Sequence, residues 1–215
     1  MDLEFIKLYI TQALVCVWFL LVVYQKMETN QLDKIELEKL KYPIGDFEKP
    51  TTQDSEERKN LVLNWKNDIS IFPIRLKKVV DNLSEEELNW KYRPQGWTIK
   101  QVIHHCSDSH INALIRFKLT LTEDEPTIKP YLEDKWTELQ DMTLPIDVSI
   151  SILEGIHKKL SIIIESLSES DLERRFFHPE QQTYFTLFEL VANYTWHSNH
   201  HLAHIEQAIE SKGKY

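Results

Sequence analysis

The sequence predicts an all-α protein built on a four-helix bundle, with short extra helices and one long connection. Three observations lead to this fold class. Among 215 residues only 4 are Gly and 8 are Pro, so few residues break helices. Apolar residues recur every three or four positions in four long segments, which is the spacing of one buried helix face. Three of those segments open with a Thr or Asp followed three residues later by Glu or Gln, a helix-capping pattern.

Residues 1–26 form a hydrophobic N-terminal segment with two possible explanations. The stretch 8–25 is uncharged and long enough to be a marginal transmembrane candidate. The lysines that follow such an anchor favour a domain on the cytoplasmic side. Alternatively, translation starts at Met27 and the segment is upstream sequence. The formal charge of −9 is the same under either explanation, because the segment carries two acids and two bases.

Residues 27–52 are polar, contain Pro43, Gly45 and Pro50, and are predicted to be an irregular lead-in. A metal-binding helical bundle is expected over residues 53–215. The first long helix follows the Asp54 capping position, and Pro73 is expected to kink it. Its apolar positions are Leu61, Trp65, Ile69, Phe72, Leu76 and Val79.

The remaining elements follow from further capping patterns. Ser84 with Glu87 predicts a short helix, and Thr98 opens a second long helix that reaches about Leu121. A connection of about 24 residues, 122–145, comes next, and connections of that length are usually functional or disordered. Asp147 is expected to cap a third long helix with an apolar stripe at Val148, Ile152, Ile156, Leu160, Ile163 and Leu167. Thr186 with Glu189 opens the last helix, which is expected to end near Ser211.

Two parts of the sequence resemble each other at an offset of about 84 to 88 residues. In each, a Leu-Ser-Glu run, at Leu83 or at Leu167, leads through a short helix to a proline and then to a Thr-capped helix with histidines. This pattern fits a bundle made of two similar halves. It fits equally a chance likeness between capped helices.

Composition excludes some classes of partner. The formal net charge is −9 and the isoelectric point is about 5.5, so the surface repels phosphate backbones and the sequence argues against nucleic-acid binding. Two cysteines, Cys16 and Cys106, cannot build a disulfide framework, which favours a reducing compartment such as the cytoplasm.

Histidine is concentrated near the C-terminus, where four of the nine lie within eight residues. His197 and His201 continue the apolar stripe of the last helix, whereas His200 and His204 fall toward its polar edge. The spacing of four residues stacks the imidazoles of His197 and His201 one turn apart, where both can bind one metal ion. Two adjacent buried imidazoles each carry a nitrogen that needs a partner, and a shared cation satisfies both.

A three-ligand site needs one more residue, and the second long helix offers His104, His105 and His110. His110 lies at the centre of the apolar stripe of that helix, so periodicity alone favours it. His105 lies on a second, polar row, which either faces solvent or lines a cavity in the bundle. The other members of that row are Ser109, Asn112 and Arg116. Spacing does not decide between the two histidines.

A family resemblance bears on this choice. The runs that carry it are Tyr42-Pro43-Ile44-Gly45, Tyr92-Arg93-Pro94 with Gly96-Trp97-Thr98, His104-His105 with Asp108-Ser109-His110, Arg116-Phe117-Lys118-Leu119, Pro126-Thr127-Ile128-Lys129-Pro130-Tyr131, and Trp196-His197 with His200-His201 and Ala203-His204-Ile205. Together they resemble the YfiT-type branch of the DinB-like metalloprotein superfamily, over about residues 42–210. Residues 1–26 have no counterpart in that pattern.

The resemblance implies a DinB-like four-helix bundle, a cytoplasmic homodimer, and one divalent ion, zinc or nickel, held by three histidines. Matched by position, these are His105, His197 and His201. It therefore selects His105 where periodicity selects His110, and His110 becomes a core residue or a neighbour of the ligands. Asp108, Asn112 and Arg116 are candidates for orienting the ligands or for binding an anion, and each could equally be a structural or surface residue.

Three neutral histidines around zinc leave a fourth position open, which is typical of a catalytic site. An open zinc ion can lower the pKa of bound water to roughly 7 for hydrolysis, or bind a thiol as thiolate. The resemblance implies a metal-dependent hydrolase, and alternatively an S-transferase that activates a low-molecular-weight thiol such as bacillithiol or mycothiol. The sequence HSNHH around the histidine pair lacks the glutamate of an HExxH motif, so no general base is evident there. A third alternative is a non-catalytic metal-binding dimerisation module.

Overall fold

A computed structural model describes residues 34–215. The hydrophobic segment 1–26 lies outside this range. A boundary between two compact units falls after Lys41, and the second unit, Tyr42–Tyr215, contains the helical bundle. Within the described range, no helix has the length and apolar character needed to cross a membrane.

The predicted irregular lead-in, 27–52, differs from the structure in two respects. Residues 34–41 are helical, because this run is rich in Leu, Glu and Lys and contains neither Gly nor Pro. Residues 42–52 do lack helices and strands, but they pack on the bundle: the indole Nε1 of Trp196 donates to the Gly45 carbonyl at 3.1 Å, and Lys49 pairs with Glu189 at 3.2 Å. The second unit therefore starts at Tyr42, earlier than the predicted boundary at residue 53.

Six helices and two strands are labelled here in chain order within the second unit. They are α1 (Ser55–Val80), α2 (Ile99–Thr122), α3 (Glu133–Trp136), α4 (Ile146–Ser166), α5 (Glu169–Leu172), β1 (Arg175–His178), β2 (Thr183–Thr186) and α6 (Leu187–Ser211). Single 3₁₀ turns lie at Glu87–Asn89 and Gln140–Thr143. The all-α bundle is confirmed, with short helices α3 and α5 and a small hairpin added to the four long helices.

The predicted capping residues begin three of the long helices. The Asp54 carboxylate accepts from the backbone N–H of Glu57, and Thr98 and Thr186 form reciprocal capping boxes with Gln101 and Glu189. Each cap satisfies backbone donors that the first turn of a helix leaves free. The helix starts were therefore predictable from local sequence.

The cap predicted for α4 is wrong, and its predicted buried face is correct only in part, at Ile156 and Leu160. Its N-cap is Pro145 and no side chain caps it, so Asp147 lies within the first turn, where its charge favours the helix dipole. Val148 and Ile152 of the predicted stripe are exposed, whereas Leu153 and His157 are buried. Isoleucine and leucine lie on both sides of this helix, so its hydrophobic period does not define a single face.

The long helices follow an unusual order around the bundle. α1 and α2 each pack on both α4 and α6. Consecutive long helices are therefore diagonal partners, α1 with α2 and α4 with α6. As a consequence α2 and α6, which carry seven of the nine histidines, lie side by side.

The internal likeness seen in the sequence has a structural counterpart. In one half, the N–H of Ile99 donates to the Trp90 carbonyl at 2.9 Å; in the other, the N–H of Leu187 donates to the Arg174 carbonyl, also at 2.9 Å. The first half has a single antiparallel bridge before α2, and the second extends this bridge into the β1–β2 hairpin before α6. The hairpin was not predicted, although its strands are rich in aromatic residues and threonine.

The apolar core has two clusters. One includes Phe72, Ile103 and Leu202, and the other includes Ile69, Phe117 and Leu190. On α2 and α6 the two clusters occupy opposite parts of the helix, and histidines lie between them. The middle of the bundle is therefore a buried polar layer.

Candidate metal centre

His105 of α2 meets His197 and His201 of α6 in this layer. The Nε2 atoms of His105 and His197 are 3.3 Å apart, and one ligand nitrogen from each of the three histidines lies within 4.8 Å of the other two. Two imidazole nitrogens on one tetrahedral zinc ion, with bonds of about 2.0–2.1 Å, lie about 3.3–3.4 Å apart. The donor set and the His105–His197 separation therefore fit one shared ion. These are the three residues that the family resemblance implied.

A chain of buried histidines leads from His197 into the core. Its Nδ1 lies 3.1 Å from Nε2 of His110, and Nδ1 of His110 lies 2.7 Å from Nε2 of His157. Nδ1 of His157 lies 2.5 Å from the backbone carbonyl of Ile69. Four elements of the chain thus contribute to one line of hydrogen bonds, from α6 through α2 and α4 to α1.

The carbonyl at the inner end fixes the direction of these hydrogen bonds. A carbonyl only accepts, so Nδ1 of His157 carries the hydrogen and its Nε2 accepts from Nδ1 of His110. Nε2 of His110 then accepts from Nδ1 of His197. This leaves a lone pair on Nε2 of His197, the nitrogen that faces His105. The chain therefore holds His197 in the tautomer that binds a metal ion.

Pro73 explains why the Ile69 carbonyl is available. α1 continues through Pro73, which has no N–H to donate to the carbonyl four residues earlier, that of Ile69. His157 supplies a donor to this carbonyl in its place. The helix-interior proline that the sequence marked as a kink therefore also serves the polar layer.

Burial keeps the three candidate ligands neutral. It lowers the pKa of His105 to about 4, helped by the nearby His200, and lowers the pKa values of His197 and His201 well below the usual 6.5, with neighbouring histidines adding to the effect. A histidine must be neutral to donate a lone pair to a metal ion. Near neutral pH all three are in that form.

His200 and His204, predicted on the polar edge of α6, are both buried. The ring of His200 stacks on Trp196 and lies against Tyr42, and the ring of His204 stacks on Tyr92 at 3.8 Å. The sequence pattern missed this because the covering aromatic residues come from distant parts of the chain.

With His201, these two residues form a second group of three whose ligand atoms lie within 4.8 Å of one another. All three members are buried, so an ion held there would have no open side. His197 of the first group keeps part of its side chain exposed and lines a cavity. Access for a substrate therefore favours the first group as the reactive centre.

That cavity has a volume of about 160 Å³ and mostly polar walls. α2, the 122–145 connection, the β1–β2 hairpin and α6 all contribute to it. Its polar lining includes Ser109, Arg116, Tyr131, Glu133, His178 and Tyr194. The Ser109 hydroxyl lies 3.4 Å from Nε2 of His197, so the cavity adjoins the histidine triad directly.

The three residues predicted to support the site lie in different places. Arg116 lines the cavity and donates from Nη1 to the hydroxyl of Tyr194 at 3.2 Å. Asp108 and Asn112 do not line it; the Asn112 amide donates to the Asp108 carbonyl one turn earlier on α2. Burial raises the pKa of Asp108 to about 6, and the charge of Asp141 adds to this shift.

A family model described as the DinB superfamily matches residues 73–205, which hold the histidine triad and its chain of supporting histidines. The chain belongs to the DinB superfamily.

Individual relatives of this DinB-superfamily chain agree with that assignment. A protein of Oceanobacillus iheyensis named "Putative metal-dependent hydrolase" is 45% identical over 80% of this chain and 97% of its own length. A Bacillus cereus protein with the same description is 45% identical over 77% of this chain and 93% of its own. The relatives thus cover the bundle almost end to end.

Solved structures show the same fold. YfiT from Bacillus subtilis, described as "a probable metal-dependent hydrolase with an unusual four-helix bundle topology", aligns with a TM-score of 0.76 and 36% identity over 81% of this chain and 98% of its own. A mycothiol-dependent maleylpyruvate isomerase aligns with a TM-score of 0.54 at 14% identity, over 67% of this chain and 60% of its own, and shares the fold. This chain therefore shares the four-helix bundle fold of YfiT.

Within this DinB-superfamily site, several residues escaped sequence analysis. Tyr131 was named only within a run that carries the family resemblance, and Glu133 and His178 were not singled out. His157 was hidden by the misassigned face of α4. The available sequence signal was a histidine beside an isoleucine stripe for His157, a run shared with the family for Tyr131, and the length of the connection for Glu133.

Proposed function

We propose that the protein is a metal-dependent hydrolase in which His105, His197 and His201 hold one divalent ion, with zinc the best candidate and nickel the alternative. The observation that carries the proposal is the triad itself. Its nitrogens are spaced for one ion, and its partly exposed member, His197, faces a polar cavity. Three protein ligands leave room for a reacting group, unlike a closed structural site with four.

Each part of the site has a defined task in this proposal. The triad binds the ion, and the chain through His110 and His157 to the Ile69 carbonyl orients His197. When bound, the ion would polarise a water molecule or a thiol at the position that the histidines leave open. The hydroxyl of Ser109 and the side chains around Arg116 would contact the substrate from the cavity.

The names of the relatives support hydrolysis. The structure supports a second candidate, an S-transferase that uses a low-molecular-weight thiol, through one observation. Among residues 34–215 no carboxylate is hydrogen-bonded or ion-paired to His105, His197 or His201, and the side-chain oxygen in contact with His197 is that of Ser109. A thiol ionises more readily than water and needs less help from a base.

Metal content of the purified full-length chain tests the proposal. We expect close to one zinc or nickel ion per chain in the wild type and loss of the ion in His105→Ala, His197→Ala and His201→Ala. His200→Ala is the matched control, because it removes a buried histidine of the same helix that is outside the triad. Folded wild type that takes up no added ion would contradict the proposal.

Turnover of a simple activated ester by the metal-loaded protein separates the two reactions. A hydrolase acts without a thiol, whereas an S-transferase forms product only when one is added. Activity in neither case would favour a non-catalytic metal-binding module. A cytoplasmic location and a homodimer remain predictions, and gel filtration with light scattering tests the second.

A further inference from the structure

The guanidinium of Arg116 has no ion-pair partner among the residues that the structure describes. Its Nη1 donates to the hydroxyl of Tyr194, which in turn donates to the Ser109 carbonyl at 3.2 Å. Its Nε is buried and has no hydrogen-bond partner. Among residues 34–215, no carboxylate forms an ion pair with this guanidinium. Tyr194 therefore holds in place a guanidinium that has no ion-pair partner among these residues, although its charge acts on Glu133 and opposes the rise in pKa that burial causes there.

Two neutral donors line the same cavity. The hydroxyl of Tyr131 is buried without a partner, and burial raises its pKa, so it stays protonated. Nδ1 of His178 accepts from the backbone N–H of Gln181 at 3.3 Å, so its hydrogen is on Nε2. Burial and the charge of Arg116 lower the pKa of His178, which keeps it neutral. Both side chains thus offer hydrogens to a group bound in the cavity, where the Ser109 side chain is the neighbour that acts on the Tyr131 hydroxyl.

The acidic residues that line the cavity do not form an ion pair with Arg116. Glu133 and Glu180 are exposed as residues and form no ion pair with Arg116, and burial of the Glu133 carboxyl raises its pKa, which favours its neutral form. Hydrogen-bond donors beside a fixed guanidinium favour the binding of a negatively charged acceptor. A carboxylate matches the edge of a guanidinium in shape and charge.

We propose that this cavity binds a carboxylate of the substrate on Arg116, Tyr131 and His178. Because the cavity adjoins His197, the substrate class is a small carboxylic acid whose reacting group lies a few bonds from the carboxylate. The volume of about 160 Å³ suits a short chain. This inference rests on the proposed metal centre, since the reacting group is the one that reaches the open position.

Two thiols of similar length test it on the full-length protein loaded with Co²⁺: 3-mercaptopropionate, which carries a carboxylate, and 2-mercaptoethanol, which is neutral. Thiolate-to-cobalt absorbance gives a Kd for each. We expect 3-mercaptopropionate to bind at least about tenfold tighter, as a hydrogen-bonded charge pair does. The Kd ratio should fall to near one in Arg116→Gln and to an intermediate value in Tyr131→Phe.

Arg75→Gln is the matched control. Arg75 is also half-buried and hydrogen-bonded to a side-chain carbonyl, that of Asn199, but it does not line the cavity. Its Kd ratio should equal that of the wild type. Equal Kd values for the two thiols in the wild type, or a preference that survives in Arg116→Gln, would overturn the proposal.

A readout without metal separates this proposal from the proposed function. Propionate is added to ¹⁵N-labelled metal-free protein, and the Nε–H resonance of Arg116 is identified by its loss in Arg116→Gln. A saturable shift of this resonance supports the anion site even if Co²⁺ fails to bind. No shift overturns the anion site even if the metal centre is intact.

Discussion

The two halves of the bundle share a backbone arrangement and differ in the side chains that it carries. In each, a short helix and an antiparallel bridge lead to a threonine that caps a long helix, Thr98 for α2 and Thr186 for α6. Counted from these caps, His105 on α2 corresponds to Asn193 on α6, and Ser109 on α2 corresponds to His197 on α6.

This correspondence explains the layout of the site. His105 and His197 are candidate ligands, whereas their counterparts, Asn193 and Ser109, line the cavity. Each pair of equivalent positions thus provides one candidate ligand and one residue that lines the cavity without being a ligand. The repeated arrangement puts equivalent positions of α2 and α6 in the middle of the bundle, and the side chain at each position decides whether it can bind a metal ion.

The largest expected effect is a difference in zinc affinity between variants at two equivalent positions, His197 on α6 and Ser109 on α2. His197→Ala should weaken zinc binding by more than about 100-fold, since loss of partners that only support a ligand already costs about 10–100-fold. Ser109→Ala, its counterpart on α2, should change zinc affinity by less than about threefold, because Ser109 supplies no ligand nitrogen. Competition with a chromophoric chelator measures both. Similar losses in the two variants would show that the halves are not functionally distinct.

The next effect concerns support for the ligand on α6. His157→Leu removes the donor to Ile69 and the acceptor for His110, so His197 is no longer held in one tautomer. Zinc affinity should fall by about 10–100-fold. His104→Leu is the control, since His104 is also a buried histidine between α2 and α4 but is bonded to Ser149 instead.

The ring ¹⁵N shifts of His197 in metal-free protein provide a direct readout of tautomer. They should report hydrogen on Nδ1 in the wild type and a mixture of tautomers in His157→Leu. Retention of a single tautomer in that variant would contradict the role of the chain.

Acid should destabilise the metal-free protein because His157, in the buried polar layer, resists protonation in the folded state. Burial lowers the pKa of His157 to about 4 in the folded state, although its hydrogen bond to Ile69 opposes the shift. Between pH 6.5 and 4 the unfolded chain binds a proton that the folded protein does not. Stability is therefore full above pH 6.5 and declines as pH falls, by about 1.4 kcal/mol per pH unit for one such histidine.

Urea unfolding at pH 7.5 and 5.0 measures this loss. Acidification should cost His157→Leu about 2 kcal/mol less than it costs the wild type. Asp108 acts in the opposite direction in both proteins, because its raised pKa of about 6 favours the folded state at low pH. Equal losses in the two proteins would show that His157 is protonated in the folded state.

The smallest expected effect on metal binding comes from Pro73→Ala. The new N–H competes with His157 for the Ile69 carbonyl, so zinc affinity should fall by about threefold, below the range for complete loss of a supporting partner. The free energy of unfolding should rise by up to about 3 kcal/mol, because a helix hydrogen bond is restored. Unchanged metal affinity in a stabilised variant would mean that the proline has no bearing on the site.

Local sequence was sufficient for the starts of α1, α2 and α6 and for placing the candidate ligands His197 and His201 on one helix face. Caps such as Thr98 and Thr186 act within one turn, and the spacing of His197 and His201 is set by a single helix. The choice of His105 over His110 needed the family resemblance, because both lie on α2 and only packing against α6 separates their roles.

Features that depend on which helices pack against each other could not be predicted from local sequence. The diagonal order brings His157 of α4 against His110 of α2, and no local pattern encodes that order. The burial of His200 depends on Tyr42 in the lead-in, far away in sequence. The cavity combines four separate segments; the polar row of α2 and the length of the 122–145 connection indicated a role, whereas no local pattern marked the β1–β2 hairpin.

The carbonyl at the end of the histidine chain also restricts where protons can travel. Imidazoles in series can pass a proton along, but only if the last acceptor can release it to solvent or to a base. The Ile69 carbonyl is a backbone amide oxygen inside the core and does neither at neutral pH. The chain is therefore a dead end for protons, whereas the cavity connects His197 with Ser109 and with the acidic residues Glu133 and Glu180, which can take up a proton released at the triad.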